Sequence, residues 1–347
     1  PDGFDFRPYQ DEAIDKWAEN GYRGIFDMAT GTGKTYTGLG AVTRLYEDKK
    51  RLAIVIVCPY QHLVEQWVEG YSASKQKNWK KRLEDDVLDF SIGVINTFCF
   101  VTTNATYSSK FVTEQMKQLG KDTLILIDEA HNFGSTNLRT KLYPDIQYRL
   151  ALSATLDRHG DEEGTEALKT YFGEKCIEYD LKRAIDEKKL TPYYYHPVLV
   201  YLDDDEYDRY KELSYLASKE CHKDRHGKLV ITEKGKRILL QRARVVAGAK
   251  SKLSKLRELM EAYKDDTHIL VYCGATRIQD FSSDITERDE EGERQIVAVS
   301  KMLGNDLGMK VTHFTSNESA EERETIKQCF ASASPYQAII AIKCLDE

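Results

Sequence analysis

The chain has 347 residues, of which 41% are hydrophobic and 31% are charged, and its formal net charge is −7. This composition is typical of a globular protein of two or three domains and excludes a general attraction to nucleic acid, so any such site must be a local patch. The longest apolar runs, such as LAIVIVC from residue 52, have the length of a strand, so no membrane span is predicted. The seven scattered cysteines fit a reducing compartment, and we expect a cytoplasmic protein.

Short apolar runs alternate with longer amphipathic segments in the first half of the chain. The runs predict five strands, namely Gly24–Asp27, Leu52–Cys58, Ser91–Ile95, Leu124–Ile127 and Leu150–Ser153. The segments between them predict helices, for example Leu63–Gly70 and Thr113–Leu119. Such alternation favours an α/β fold with a parallel sheet that is covered by helices on both faces.

The pattern changes after Val198–Leu202. Residues 203–264 are charged and helix-periodic, with one strand-like run at Leu229–Ile231, and strands are predicted again at His268–Tyr272, Lys310–Phe314 and Ala338–Ile342. We therefore expect one α/β domain over residues 1–200, a helical connector over 201–265 and the N-terminal part of a second α/β domain over 266–347. Because the chain begins with Pro1, we expect it to be a piece of a longer protein.

The stretch MATGTGKT, which begins at Met28, follows a predicted strand and precedes a helix-compatible run. Glycines allow a tight turn whose N–H groups point at phosphate oxygens, and the dipole of the next helix favours the same anion. The strict phosphate-loop pattern has glycine where Met28 stands, but the rest is intact. It predicts a nucleotide-binding loop in which Lys34 reaches the β- and γ-phosphates and Thr35 ligates Mg²⁺. The predicted loop residues are Thr30, Gly31, Thr32, Gly33, Lys34 and Thr35. The alternative is a glycine-rich turn with a chance lysine.

A second chemical signal is LILIDEAH, which begins at Leu124. Four apolar residues predict a buried strand, and ligand sites in open α/β sheets lie at the carboxyl ends of strands. Asp128 is therefore expected to hold Mg²⁺, and Glu129 to orient and deprotonate the attacking water.

Asp128-Glu129-Ala130-His131 resembles the DEAH box of superfamily 2 helicases and translocases. The resemblance implies ATP and Mg²⁺ as cofactors and two RecA-like domains, the second of them incomplete. Upstream, FRPYQ resembles the adenine-recognition element, in which Gln10 would hydrogen-bond to adenine and Arg7 would pack against its ring. LSATLDR resembles motif III, which implies that Ser153, Ala154 and Thr155 couple the nucleotide to nucleic acid, with His131 as a hydrogen-bond relay.

Two further stretches resemble motifs that contact the nucleic-acid backbone. VIVCPYQHLVEQW resembles motif Ia and IGVINTF resembles the motif after it; the implied contacts are Pro59, Tyr60, Gln61, Thr97 and Phe98. In detail, the sequences RPYQDEAI and LSATLDR resemble those of type III and type I restriction helicase subunits and of XPB-like duplex translocases.

The resemblance implies ATP-driven movement on DNA, with duplex DNA as the favoured substrate, in restriction, phage defence or DNA repair. It also implies a nuclease or methylase domain or subunit as a partner. An RNA helicase and an ATP-gated nucleic-acid-binding switch are the alternatives. In this family, arginines that stabilise the transition state follow the motif V that residues 338–347 resemble, so we expect weak hydrolysis from residues 1–347 alone.

Two weaker signals remain open or unfavourable. Lys234–Arg257 carries nine basic residues, which predict either a helix along the DNA backbone or a solvated helix face. CHKDRH contains Cys221, His222 and His226, but without a second nearby cluster a zinc site is disfavoured.

Overall fold

The computed structural model describes residues 5–59, 63–64, 67, 78–158, 161–223, 229–274, 277–278, 293–315 and 317–342. The chain divides into two compact units, one up to Tyr194 and one from Tyr195. This boundary lies six residues before the predicted one at residue 200, and residues 201–265 belong to the second unit rather than standing apart. In the described part of the chain, no helix is long and apolar enough to cross a bilayer.

The first unit contains six strands and the helices that connect them. Its strands are β1 Arg23–Met28, β2 Leu52–Cys58, β3 Thr97–Thr103, β4 Thr123–Ile127, β5 Tyr148–Ser153 and β6 Lys175–Tyr179. Its labelled helices are α1 Pro8–Glu19, α2 Lys34–Lys49, α3 Trp79–Ile92, α4 Asn104–Tyr107, α5 Lys110–Met116, α6 Thr136–Arg139, α7 Glu162–Phe172 and α8 Leu181–Asp186, with a 3₁₀ helix at Ala130–Gly134.

All six strands are parallel, in the order β3-β2-β4-β5-β1-β6. Strands β2, β4 and β5 are buried along their whole length, which explains why β2 and nearly all of β4 are apolar; β5 also buries Arg149 and Ser153. One face of the sheet packs against α1 and α2 through Trp17 and Leu45, and the other packs through Val87 and Phe133. The α/β class with a parallel, doubly covered sheet is confirmed.

The predicted strand at Ser91–Ile95 is wrong. Helix α3 continues through Ile92 and ends at Gly93, whose φ of 82° lies in the left-handed region that glycine adopts without strain. The strand begins only at Thr97, and its first residues pair with the start of β2, Leu52 with Thr97 and Ala53 with Phe98. The predicted helix Thr113–Leu119 is observed as α5, which ends at Met116. Of the predicted helix Leu63–Gly70, Leu63, Val64 and Trp67 are helical and the other residues lie outside the described part.

The second unit begins with a helical region and contains a three-stranded parallel sheet. Its helices are α9 Asp204–Lys219, α10 Glu233–Ala247, α11 Lys250–Glu261, α12 Gln295–Lys301 and α13 Ala320–Ala331, with a π-helix at Met302–Asp306. Its strands are β7 Cys221–Lys223, β8 Leu229–Ile231, β9 Ile269–Tyr272, β10 Arg277–Ile278, β11 Glu293–Arg294, β12 Val311–Phe314 and β13 Ala338–Ala341. Strands β7 and β8 form a hairpin between α9 and α10, and the parallel sheet has the order β12-β13-β9.

Candidate functional site

The stretch from Met28 to Gly33 forms the turn between β1 and α2. Gly31 and Gly33 have φ values of 81° and 88°, and Gly33 is the residue immediately before the first turn of α2. Glycine is needed at both positions because side chains rarely tolerate this backbone conformation. The turn therefore delivers Lys34 and Thr35 to the N-terminus of α2, where the helix dipole favours an anion.

Thr32 braces this turn from the inside. It is fully buried, its hydroxyl donates to the Ala29 carbonyl at 2.6 Å, and its own carbonyl accepts from the Tyr9 hydroxyl at 2.7 Å. Thr30 and Gly31 lie on the exposed side of the same turn. Of the loop residues predicted from sequence, Thr30 and Gly31 are therefore accessible, whereas Thr32 stabilises the turn from inside.

Gln10 contacts the turn directly. Its side-chain nitrogen donates to the Gly33 carbonyl at 3.3 Å and to the Thr37 hydroxyl at 3.0 Å, and its side-chain oxygen accepts from the Arg7 backbone N–H at 3.0 Å. Gln10 is only 2% exposed. An adenine contact would require the amide to release these partners, so that role remains a prediction. Arg7 is exposed and donates to the Tyr9 hydroxyl at 2.9 Å.

Lys34, Glu129 and His131 come together at the carboxyl edge of the sheet. The Lys34 ammonium lies 3.1 Å from Glu129 Oε1, and His131 Nδ1 lies 3.4 Å from Glu129 Oε2. Glu129 has a φ of 47° and a ψ of 52°, a left-handed conformation that costs a residue with a side chain roughly 1–2 kcal/mol. Such local strain is typical of residues that a site holds in a required position.

A hydrogen-bonded chain continues from His131 into the loop after β5. His131 Nδ1 and Ser153 Oγ are 3.3 Å apart, and the Thr155 backbone N–H donates to the same Ser153 oxygen at 3.3 Å. Burial lowers the pKa of His131 below its ordinary 6.5, and the Glu129 carboxylate opposes this shift. The chain therefore joins the predicted catalytic carboxylate to Ser153 and Thr155 through an imidazole that is neutral at pH 7. Ala154 is half-buried between them.

Asp128 follows β4 and is only 5% exposed. Its Oδ1 accepts from the Glu129 backbone N–H at 3.0 Å, and its Oδ2 accepts from the indole N–H of Trp67 at 3.0 Å. Burial raises the pKa of Asp128, whereas the Trp67 hydrogen bond opposes the rise. A buried carboxylate of this kind fits a cation ligand, because a bound cation would compensate for its lost hydration.

The donor set around Asp128 fits Mg²⁺. In the described residues, no group of three or more His, Cys, Asp or Glu side chains is arranged to hold a metal ion by itself. Mg²⁺ is commonly held by one or two carboxylates together with substrate phosphates and water. Asp128 and the half-buried Thr35 hydroxyl are the two residues predicted for that role.

Two site residues were missed by sequence reasoning. Trp67 contacts Asp128, and the Arg158 guanidinium donates to the His131 carbonyl and to Asp161 Oδ2, the latter at 2.7 Å. Arg158 thus connects the turn after Glu129 to the start of α7. Both residues lie inside quoted motifs, but nothing in the spacing of the residues predicted these partners.

The predicted nucleic-acid contacts do not all lie at this edge. Pro59 follows the last residue of β2 and lies at the carboxyl edge, whereas Tyr60 and Gln61 are outside the described residues. Thr97 and Phe98 begin β3, so they lie at the opposite edge of the sheet. The Thr97 hydroxyl donates to the Leu52 carbonyl at 2.8 Å. The predicted strand bounds placed these two residues after the strand, whereas they begin β3; their contact with nucleic acid stays a prediction.

The basic stretch Lys234–Arg257 is divided between α10 and α11. Four of its nine cations have an acidic partner within 4.0 Å, in the pairs Lys234–Glu220, Lys236–Glu233, Lys250–Asp203 and Lys255–Glu258. These pairs reduce the charge that the stretch offers to a polyanion. Of the disfavoured zinc ligands, Cys221 and His222 are adjacent residues of β7, and His226 is outside the described residues.

Comparison with known proteins identifies relatives of this arrangement. Residues 3–158 match the family of type III restriction enzyme res subunits. The DNA 3'-5' translocase XPB2 of Sulfurisphaera tokodaii is 26% identical over 354 residues, which cover 90% of this chain and 74% of that protein. These similarities support a superfamily 2 protein of the restriction-helicase and XPB-like type.

A further relative is a subunit of a restriction enzyme. The type I restriction enzyme EcoAI endonuclease subunit of Escherichia coli is 28% identical over 198 residues, which cover 54% of this chain and 23% of that protein. The chain therefore spans about a quarter of the EcoAI subunit and about three quarters of XPB2. These similarities support a DNA helicase-like function.

Solved structures confirm the fold. The ATP-dependent type ISP restriction-modification enzyme LlaBIII, bound to DNA, has a TM-score of 0.57 at 15% identity, over 98% of this chain and 24% of that one. The DUF1998 helicase MrfA, bound to DNA and AMPPNP, has a TM-score of 0.54 at 12% identity, over 99% of this chain and 42% of that one. At these identities the likeness concerns the RecA-like fold alone.

Proposed function

We propose that this chain is the ATP-hydrolysing motor of a DNA helicase or translocase that moves on duplex DNA. The observation that carries the proposal is the contact between the phosphate-loop lysine and the carboxylate after Asp128, Lys34 to Glu129 at 3.1 Å. It brings the predicted phosphate ligand and the predicted general base into one site at the carboxyl edge of the sheet.

In the proposed reaction, Lys34 exchanges partners when ATP binds. The Lys34 and Glu129 side chains are 10% and 28% exposed, so the ion pair is partly buried. Phosphate oxygens can displace the carboxylate because they offer the ammonium an equally charged hydrogen-bond acceptor. Lys34 then neutralises the β- and γ-phosphates, and Glu129 becomes free to orient water and accept its proton. Thr35 and Asp128 would hold Mg²⁺, which supplies charge neutralisation for the phosphates when bound.

The series of hydrogen bonds from His131 to Ser153 and Thr155 is the proposed route by which nucleic acid changes the rate of ATP hydrolysis. His131 Nδ1 contacts both Glu129 and Ser153, so a displacement of the loop after β5 would change the contact that the imidazole makes with the general base. In a full cycle, ATP would close the two RecA-like lobes and hydrolysis would reopen them. Restriction, phage defence and DNA repair are the proposed settings, with a nuclease or methylase partner in the cytoplasm.

DNA is the proposed substrate because the XPB2 relative is described as a DNA translocase. The duplex form is proposed from the resemblance of RPYQDEAI and LSATLDR to restriction helicase subunits and XPB-like duplex translocases. The test is the rate of ATP hydrolysis by the C-terminally extended protein with duplex DNA, single-stranded DNA or duplex RNA, and with Glu129→Gln as the control variant, because weak hydrolysis is expected from residues 1–347 alone. Stimulation by duplex DNA that the variant lacks supports the proposal. Stimulation by RNA alone would indicate an RNA helicase. Tight ATP binding without stimulation by any nucleic acid would indicate an ATP-gated binding switch.

A further inference from the structure

Trp67 contacts the site at a point that the proposed chemistry does not use. It lies after β2, in the segment whose sequence resembles a nucleic-acid-contacting motif, and it is 7% exposed. Its indole N–H donates to Asp128 Oδ2 at 3.0 Å. A tryptophan that only filled the core would not need a carboxylate partner, so the contact calls for an explanation.

The absence of a side chain at a glycine in α2 leaves room for the ring of Trp67. A Cβ atom at Gly38 would lie 2.7 Å from Trp67 Cη2 and 3.0 Å from Leu152 Cδ1 of β5, both closer than Cβ atoms normally approach. Glycine inside a helix costs about 0.5–1 kcal/mol relative to alanine, so its presence one turn after Lys34 has a packing reason. Gly38 lets the indole lie flush between α2 and the sheet.

The two hydrogen bonds of Asp128 fix the orientation of its carboxylate. Oδ1 accepts from the Glu129 backbone N–H and Oδ2 accepts from Trp67. Each carboxylate oxygen has two lone pairs, so each retains one for a cation or a water molecule. Without the indole N–H, only the Glu129 contact would define the rotation of the carboxyl group.

We propose that Trp67 is a positioning residue that orients Asp128 for Mg²⁺ and thereby connects the segment after β2 to the nucleotide site. The inference rests on the proposed function, because it requires Asp128 to be a magnesium ligand. Residues that hydrogen-bond to metal ligands commonly change metal affinity by about 10- to 100-fold when they are replaced.

Trp17 provides a matched control within the same unit. Its indole N–H donates to the Arg149 carbonyl at 3.0 Å, and the residue is fully buried. Arg149 is the second residue of β5, so this contact lies at the amino edge of the sheet, away from Asp128. Trp67→Phe and Trp17→Phe each keep an aromatic ring and lose one buried indole donor.

The experiment measures the affinity of a fluorescent ADP analogue, first in EDTA and then over a Mg²⁺ titration. We expect Trp67→Phe to bind the analogue in EDTA within about twofold of the wild type and to need roughly tenfold more Mg²⁺ for the half-maximal effect. Trp17→Phe should lower the unfolding midpoint and leave the Mg²⁺ midpoint unchanged. A Trp67→Phe midpoint equal to that of the wild type, or an equal shift in Trp17→Phe, overturns the inference.

A second measurement does not depend on the folding of Trp67→Phe. The chain has three tryptophans, and Trp17→Phe and Trp79→Phe assign the three indole N–H resonances by elimination. Adding Mg²⁺ to the ADP-bound wild type should shift the Trp67 resonance and leave that of Trp17 in place; an unmoved Trp67 resonance contradicts the inference. If the wild type binds no nucleotide under any condition, the proposed function and this inference both fail. If the wild type binds Mg²⁺–ADP and the Trp67 resonance does not move, the inference alone fails and the proposed function stands.

Discussion

The two edges of the six-stranded sheet differ in the partners of their polar side chains. At the amino edge, beside the ion pair of Arg51 with Asp122, several side-chain donors are paired with backbone carbonyls: Trp17 with Arg149, Arg149 with Ile146, Pro144 and Tyr171, and Thr97 with Leu52. At the carboxyl edge, charged side chains are paired with one another, as in Lys34 with Glu129. Pairs of the first kind stabilise the fold, whereas a charge pair near solvent can exchange its partner for a ligand.

The largest expected effect on stability comes from the amino edge. Arg149 is buried, and its guanidinium donates to three backbone carbonyls at 2.5–2.9 Å. Arg149→Met would leave these carbonyls without that donor at a cost of about 1 kcal/mol each. We expect the unfolding free energy to fall by about 3 kcal/mol and the thermal midpoint by roughly 6–12 °C. Calorimetry of the variant checks this, and an unchanged midpoint would contradict the structural role of this edge.

A smaller effect is expected from the hydrogen-bonded chain at the carboxyl edge. Ser153→Ala removes the oxygen that lies 3.3 Å from His131 Nδ1 and accepts from Thr155. We expect the stimulation of ATP hydrolysis by duplex DNA to fall about three- to tenfold, the equivalent of one ordinary hydrogen bond. Ser91→Ala is the matched control, because its hydroxyl donates to the Val87 carbonyl within α3. Equal stimulation in both variants would show that the hydrogen bonds of Ser153 do not transmit the effect of DNA to the site of hydrolysis.

The smallest expected effect is the contribution of His131 to the pH dependence of stability. Because burial lowers the pKa of His131 in the folded chain, the unfolded chain binds the proton first as the pH falls past about 6.5. The folded state therefore loses stability on acidification. Relative to His131→Gln, the wild type should become less stable as the pH decreases from about 7.5 to about 5.5. Thermal midpoints at both pH values test the sign, and a change in the opposite direction would refute it.

Much of the first unit could be predicted because its central strands β2, β4 and β5 are buried on both faces. The apolar runs that predict β1, β2, β4 and β5 have no competing helical period, and the glycine turn after β1 has a steric requirement that sequence displays directly. The run SIGVINTF does not distinguish a helix from a strand in this way. Its first residues complete the last turn of α3, and Gly93 ends that helix before the strand begins at Thr97.

The contacts of the site could be predicted less well, because they join distant parts of the chain. Trp67 and Asp128 are 61 residues apart, and Gln10 and Thr37 are 27 apart. The sequence identifies a tryptophan or an amide in a motif. It does not identify the buried group that accepts the hydrogen bond from that side chain. Gln10 illustrates the limit: the resemblance implies an adenine contact, whereas tertiary packing directs its amide to the phosphate loop.

The most direct test of the contrast between the two edges is the affinity of Mg²⁺–ADP for Lys34→Ala and Arg149→Met, measured by calorimetry beside the wild type at a temperature where all three are folded. Loss of the lysine should weaken binding by about 10- to 150-fold, since it removes a charged hydrogen-bond donor to phosphate. Arg149→Met should bind like the wild type despite its lower thermal midpoint. Wild-type affinity in Lys34→Ala would contradict the assignment of the carboxyl edge as the nucleotide site.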